Sequence, residues 1–322
     1  MKILLTGGAG YIGSHTTRLL LEKGYTPIVI DSLENGHKQA LPSEVKFYNG
    51  KINNKELVNQ IFKENNISSI IHFAGYIEAG ESMKDPLKFF DNNVSQATSF
   101  LKQAIKNNVK KIVFSSTAAV YGIPKTSPIT EHFPLIPINH YGWTKLFFER
   151  ILDASSIYGL KSVCLRYFNA AGAGYNIGED HSPESHLIPL ILKTALKQRK
   201  DIKIFGTNYS TPDGTCIRDY IHVLDLAQAH IEALNLLEKG VTGKFNVGTG
   251  KGNSVKEVID ITKKITQTDF PVIETERRPG DPAELIASSD KLQKESSWKP
   301  KYDIKDIIKS AWQWHSNHPQ GF

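Results

Sequence analysis

At 322 residues the chain has room for one large domain or two ordinary ones, and its 40% apolar and 22% charged residues are those of a globular protein. No apolar run approaches the ~20 residues that cross a bilayer, and Cys164 and Cys216 stand far apart without CxxC spacing, which argues against a disulfide framework or a cysteine zinc site. The net charge of +6 comes from dispersed lysines with no basic block, so it reads as a solvated surface and not as a nucleic-acid face.

Short apolar runs alternate with helical patterns over the first third of the chain, which predicts βαβ units and a parallel sheet. Lys2–Thr6 reads as a buried strand; its apolar run stops in a glycine-rich turn and is too short for a signal-peptide core. Tyr11–Lys23 reads as a helix, Thr26–Asp31 as a strand and Glu56–Asn65 as a helix. Ser69–Phe73, Asn93–Asn107 and Lys111–Ser115 continue the pattern as strand, helix and strand. Chemistry-bearing residues sit at three strand ends: Gly7 after the first, Asp31 closing the second, Ser115–Thr117 after the fourth. Ligands of open α/β sheets bind outside the carboxyl ends of the strands, so one continuous site is expected along that edge.

From Ala170–Glu184 onward the texture changes to glycine-containing loops and short strands. The expected fold is therefore α/β: a Rossmann-type doubly wound parallel sheet over residues 1–170, with a smaller α/β substrate domain over 171–322. Ile221–Leu237 and Lys244–Val247 read as a helix and a buried strand that return to the first sheet, interleaving the boundary.

Gly7, Gly10 and Gly13 recur at spacings of three, directly after a strand and at the start of a helix. Such glycines serve a tight turn, close approach of backbone to a pyrophosphate, and close helix–sheet packing. The helix N-terminus offers its free N–H groups to the phosphates. Asp31 follows Gly13 at the distance where an acid accepts adenosine ribose hydroxyls and repels a 2′-phosphate, which points to NAD over NADP.

Tyr141 and Lys145 stand four apart in the first turn of a predicted helix, so they share a face. A cation beside a phenol favours phenolate, making Tyr141 a candidate base near neutral pH. Tyr-x3-Lys occurs twice; the other copy, Tyr121 to Lys125, contains Gly122 and Pro124, which oppose helix, so its two groups need not meet. The strand-end hydroxyls of Ser115–Thr117 can reach the same pocket.

Taken in order, Gly7–Gly13, Ser115–Gly122, Tyr141/Lys145 and Arg166–Asn169 resemble the extended short-chain dehydrogenase/reductase family. Phe205-Gly206, Cys216–Val223 and Arg277–Asp281 narrow the resemblance to its UDP-glucose 4-epimerase branch, over essentially the whole chain. The resemblance implies a tightly held NAD+ that takes hydride from C4 of a UDP-hexose while Tyr141 takes the hydroxyl proton, followed by rotation of the 4-keto sugar and return of hydride to its other face. By position it makes Thr117, Tyr141 and Lys145 catalytic. It extends the cofactor set to Gly7, Gly10, Tyr11, Ile12, Gly13, Asp31, Asn35, Ile52, Phe73, Ala74, Gly75, Asn92, Ser115 and Tyr167, besides Tyr141 and Lys145. Thr117, Asn169, His186, Leu187, Phe205, Arg218, Tyr220, Arg277, Asp281 and Leu285 are the substrate-binding set it implies. A cytoplasmic homodimer pairing through the outer faces of Asn93–Asn107 and Trp143–Tyr158 is the family expectation.

Four positions depart from the family pattern. Lys51 stands where an Asp accepts a hydrogen bond from adenine, so adenine should lean on apolar contacts and the Ile52 backbone. Ile77 replaces a cofactor-contacting lysine of some members, and His186 replaces a common asparagine. Leu285 replaces a bulky aromatic of members restricted to unacetylated hexoses, which suggests room for an N-acetyl group. Related 4,6-dehydratases need a carboxylate pair where this chain has Ala118-Ala119. None of the eleven histidines forms HExxH, so no metal is expected, and His315 and His318 read as a polar tail.

Overall fold

The computed structural model describes residues 1–278 and 280–322; Pro279, within the Arg277–Asp281 segment, lies outside the described residues. The first half runs β1 (Lys2–Thr6), α1 (Tyr11–Glu22), β2 (Thr26–Asp31), β3 (Lys46–Asn49), α2 (Lys55–Glu64) and β4 (Ser69–His72). It continues with α3 (Ala79–Lys84), α4 (Pro86–Phe90), α5 (Ala97–Lys106), β5 (Lys111–Thr117), α6 (His140–Ala154) and β6 (Lys161–Tyr167). Then come β7 (Asn169–Ala171), α7 (Leu187–Ala195), β8 (Ile202–Phe205), β9 (Ile217–His222), α8 (Val223–Glu238) and β10 (Gly243–Val247). The chain closes with β11 (Gly252–Ser254), α9 (Val255–Thr266), β12 (Val272–Thr275), β13 (Glu284–Leu285), α10 (Asp290–Glu295) and α11 (Ile304–Asn317).

Seven strands form one parallel sheet in the order β10-β6-β5-β4-β1-β2-β3. The strand order reverses between β1 and β4, which opens a crevice at their carboxyl ends beside Gly7 and Phe73. Alternate residues feed two apolar layers, one on each face. Ile3 and Leu5 pack with Leu234, Leu237 and Phe245 on one side, while Leu4 packs with Ile28, Phe100 and Phe148 on the other. Each fully buried aliphatic side chain of this kind contributes about 1.5–3 kcal/mol. α8 packs into the first layer, and β10 pairs with β6 from Gly243↔Val163 to Val247↔Tyr167, so the late helix and strand do return to the large sheet.

The remaining strands make smaller sheets, β11-β9-β13 with β7 beside β9, and β12-β8. They pack with α7, α9 and α11 around Ile191, Leu192, Val258, Ile307 and Ile308. Four local readings change. β3 was not foreseen, because this half-exposed edge strand lacks the apolar run of its neighbours. Ser115–Thr117 lie within β5, not after it. The helix expected at Asn93 starts at Pro86 and passes through a π-helical segment, Asp91–Gln96. His315 is 4% exposed, inside the packing of α11, and is no polar tail.

Candidate active site

The glycine turn is shaped by its neighbours. Gly7 has φ +71°, and a Cβ there would lie 2.6 Å from the Ala74 nitrogen; one on Gly13 would lie 2.3 Å from the Gly7 oxygen. Both positions need glycine for backbone packing. A Cβ on Gly10 meets nothing nearer than 3.4 Å, so this residue leaves open space beside the start of α1. Gly10 caps α1 without a side-chain bond, leaving first-turn N–H groups free for an anion. Asp31 closes β2 with Oδ2 accepting from Ala9 N and Oδ1 from Leu33 N, each at 2.9 Å. Burial pushes its carboxyl up, and those two N–H groups oppose the shift. Each oxygen keeps a lone pair for a hydroxyl.

A cavity of about 330 Å3 runs along this edge. Of the expected cofactor residues, Gly7, Gly10, Tyr11, Ile12, Gly13, Asp31, Asn35, Ile52, Phe73, Ala74, Gly75, Asn92, Ser115, Tyr141 and Tyr167 line it. Lys145 does not; it stands behind the wall. Lys51 and Ile77 do line it, with Lys51 paired to Glu34 at 2.5 Å, so the lysine is held by a carboxylate the sequence reading had not connected to it. The residues present fit a dinucleotide: a bare glycine cradle, free helix N–H groups and a buried acid at the ribose end.

α6 begins at Asn139, whose side chain accepts from Gly142 N at 2.8 Å, and this cap aims Tyr141 at the cavity. Ser82 Oγ accepts from Tyr141 N at 3.0 Å and fixes the same turn. Thr117, at the end of β5, lines the cavity beside the Tyr141 phenol, and its side chain favours the ionised form. Lys145 Nζ donates to Ser115 O at 2.9 Å and lies 5.8 Å from the Tyr141 ring centroid. Burial pushes the Tyr141 phenol up to about 12, Thr117 opposing, and pulls the Lys145 ammonium down to about 8. Burial is thus the larger influence on the phenol and opposes the phenolate that the Tyr141–Lys145 spacing suggested.

Tyr121, of the other Tyr-x3-Lys copy, points elsewhere: its hydroxyl donates to Asn246 Oδ1 at 2.7 Å and accepts from Arg166 Nη1 at 3.0 Å. Arg166 makes a bidentate pair with Glu149, which also accepts from Ser116 Oγ at 2.5 Å. Ser115 Oγ hydrogen-bonds the Tyr167 hydroxyl. The motif residues Arg166 and Tyr121 therefore build a buried network beneath the site.

A second cavity of about 320 Å3 shares Asn169, Ala170, Glu179 and His186 with the first, so the two adjoin there. Leu187, Phe205, Arg218, Tyr220 and Asp281 line it as expected, together with Asn169 and His186. Two assignments change. Arg277 donates to Asn208 at its side chain (2.6 Å) and backbone, with its guanidinium 4.0 Å from the Tyr209 ring; the neighbouring Arg278 lines the cavity instead. Leu285 lines neither cavity. Half-buried, it packs against the cluster of Ala118, Tyr121, Phe168 and Ala287. Arg199, Lys203 and Arg278 were missed as cavity cations, since a lone surface basic residue carries no sequence signal. Glu179 and His181 were missed too, although Glu-x-His-x2-Glu-x-His within eight residues was a visible spacing.

Comparison with known proteins agrees with this geometry. The model of the NAD dependent epimerase/dehydratase family matches residues 3–248. The protein named UDP-glucose 4-epimerase from Halalkalibacterium halodurans is 53% identical, over 100% of this chain and 98% of the relative. The structure of UDP-glucose 4-epimerase from Bifidobacterium longum in complex with NAD+ and UDP is 41% identical, with TM-score 0.95 and 100% of both chains covered. The UDP-Glc/GlcNAc 4-epimerase from Campylobacter jejuni is 42% identical with TM-score 0.87, covering 98% of this chain and 99% of that one. With its glycine cradle, Asp31 and the Thr117–Tyr141 pair in one cavity, the chain belongs to the NAD-dependent epimerase/dehydratase family, in its UDP-glucose 4-epimerase branch.

Proposed function

We propose that this chain interconverts UDP-glucose and UDP-galactose by transient oxidation at C4. The observation that carries the reading is the placement of Thr117 and Tyr141 in the dinucleotide cavity beside a second cavity, lined by Arg218, that shares Asn169 and His186 with it. Gly7, Gly10, Gly13 and Asp31 would hold NAD, which would supply the hydride acceptor and a positive ring that favours phenolate. Tyr141 receives the proton of the C4 hydroxyl and later returns it, so the two half-reactions balance without net redox. Thr117 donates a hydrogen bond to the same oxygen. Lys145 and the Asn93 side chain, which accepts from Tyr76 N at 2.8 Å and donates to Thr144 Oγ1 at 3.1 Å, hold the wall against which the nicotinamide end would rest. Arg218 and Arg278 are the cations for a diphosphate, and Asp281, 3.5 Å from Arg218, the acceptor for ribose hydroxyls.

Incubating purified protein with UDP-galactose, without added NAD, and assaying UDP-glucose tests this; absence of the epimer from NAD-loaded protein refutes it. Turnover of N-acetylated substrates is a second reading, favoured by the likeness to the Campylobacter enzyme more than by Leu285, which lines neither cavity. In this reading residues 1–170 with α8 and β10 form the cofactor unit. The chain acts in the cytoplasm, where the free, buried Cys164 and Cys216 stay reduced. Among the described residues no helix is long and apolar enough to cross a membrane. A homodimer through α5 and α6 is supported by the exposed apolar side chains of Phe147, Ile157 and Tyr158 on that side.

A further inference from the structure

Between β7 and α7, residues 172–186 carry no helix or strand, yet Glu179 and His186 form the wall shared by the two cavities. Here one ligand atom from each of Glu179, His181, Glu184 and His186 comes within 4.8 Å of the others. His186 Nδ1 lies 2.8 Å from Glu179 Oε1 and 3.0 Å from Glu184 Oε1; His181 Nδ1 lies 3.2 Å from Glu179 Oε1 and 3.9 Å from Glu184 Oε2. A tetrahedral cation with bonds of about 2.1 Å has ligand–ligand edges of about 3.4 Å. The four distances bracket that edge, with Glu184 turning one oxygen to each histidine.

A second observation points the same way. Glu184 Oε2 and His181 Nδ1 are buried without a hydrogen-bond partner in the protein, although the Glu184 side chain is only 4% exposed and the His181 side chain 12%. His181 Nδ1 sits within reach of two carboxylates and hydrogen-bonds neither. Two buried carboxylates also need two positive charges. Among the described residues neither pairs with Lys or Arg, so the charge has to come from two imidazoliums or from one divalent ion.

We propose that Glu179, His181, Glu184 and His186 are a structural binding site for one divalent transition-metal ion, Zn2+ in preference to Mg2+ or Ca2+. Two imidazoles with two carboxylates suit zinc, and four protein donors leave no open position for catalysis. The ion cross-links the loop ahead of α7, whose first residue, Leu187, lines the substrate cavity. It also braces the loop over the cofactor end, where the His181 ring lies 6.3 Å edge-on from Tyr11. This reverses the metal-free reading of the sequence, which searched for a helical HExxH and not for ligands gathered on a loop.

Tag-free protein, dialysed against a chelator and then against metal-free buffer, is titrated with Zn2+ by calorimetry. About one ion per chain is expected, with a higher Tm and, for Co2+ in its place, the visible d–d bands of a tetrahedral site. His181→Ala and Glu184→Gln should each weaken binding at least about 10-fold, since even loss of an outer partner to a metal ligand costs that much. Wild type that takes up no Zn2+ overturns the proposal, as does equal uptake by wild type and by the double variant. If the variants do not fold, the wild-type stoichiometry and Co2+ spectrum decide it.

Discussion

Removing one phenol oxygen from each Tyr-x3-Lys copy should give opposite outcomes, because the two hydroxyls perform different tasks. Tyr121 is 3% exposed and does not line the cavity, but its hydroxyl joins Asn246 Oδ1 to Arg166 Nη1. In Tyr121→Phe both partners lose a bond inside the core, at about 1–3 kcal/mol for each buried group left unpaired. Asn246 keeps its donation to Ile129 O at 2.9 Å and Arg166 keeps Glu149, so about 2–4 kcal/mol in total is expected. Unfolding entropy of about 2.1 cal/mol/K per residue makes about 0.7 kcal/mol/K for 322 residues, hence a Tm lower by about 3–6 °C. Turnover should change little. The Tyr141 hydroxyl is desolvated at the cavity wall and joins no core groups as that of Tyr121 does, so Tyr141→Phe should leave Tm within about 1 °C. Loss of an acid–base group costs kcat at least about 10²–10⁴-fold. Scanning calorimetry and a coupled assay of UDP-glucose formation on both variants read the two effects. If Tyr121→Phe is inactive at unchanged Tm, or Tyr141→Phe keeps its turnover, the assignment is wrong.

Four further outcomes follow from the site. Lys145→Met should abolish activity and, in cofactor-free protein, raise stability: a folded pKa of about 8 against 10.5 unfolded costs about 3 kcal/mol, less about 1 for the unpaired Ser115 oxygen. That cost is complete below pH 8 and disappears as pH rises to about 10.5, since only the native state releases the proton in that window, so the Tm gain should shrink over it. Asp31→Ala should weaken NAD about 10-fold or more while sparing NADP, read by calorimetry; a parallel loss of both would refute the ribose role. Glu149→Gln should destabilise by about 3–5 kcal/mol by stranding the buried Arg166 guanidinium, measured by denaturant unfolding, and an unchanged midpoint would contradict the network. Leu285→Tyr should cost about 1–3 kcal/mol by overpacking and leave the ratio of kcat/KM for UDP-GalNAc and UDP-galactose unchanged; a shifted ratio would restore the residue to the cavity wall.

Local chemistry was legible from the chain alone. The spacing of Gly7, Gly10 and Gly13 before a helix, Asp31 at a strand end, and Tyr141 with Lys145 on one helical turn depend on neighbours a few residues away, where backbone geometry is dictated by sequence. Gly122 and Pro124 correctly marked Tyr121 as a copy outside the cavity for the same reason. The large sheet was legible where strands are buried on both faces and illegible at β3, whose half-exposed edge needs no apolar run. What the tertiary structure alone decided is which way long-range neighbours turn side chains and how strongly they desolvate them. It put Arg278 in the cavity in place of Arg277, and packed the half-buried Leu285 beside Ala118 and Tyr121. It held Lys145 against the Ser115 carbonyl, buried the Tyr141 phenol and so pushed it up to about 12, and brought Glu179, His181, Glu184 and His186 within 4.8 Å of one another. Each of these depends on distances between segments far apart in the chain, or on the path of a loop without regular repeat, and neither periodicity nor motif spacing encodes such distances.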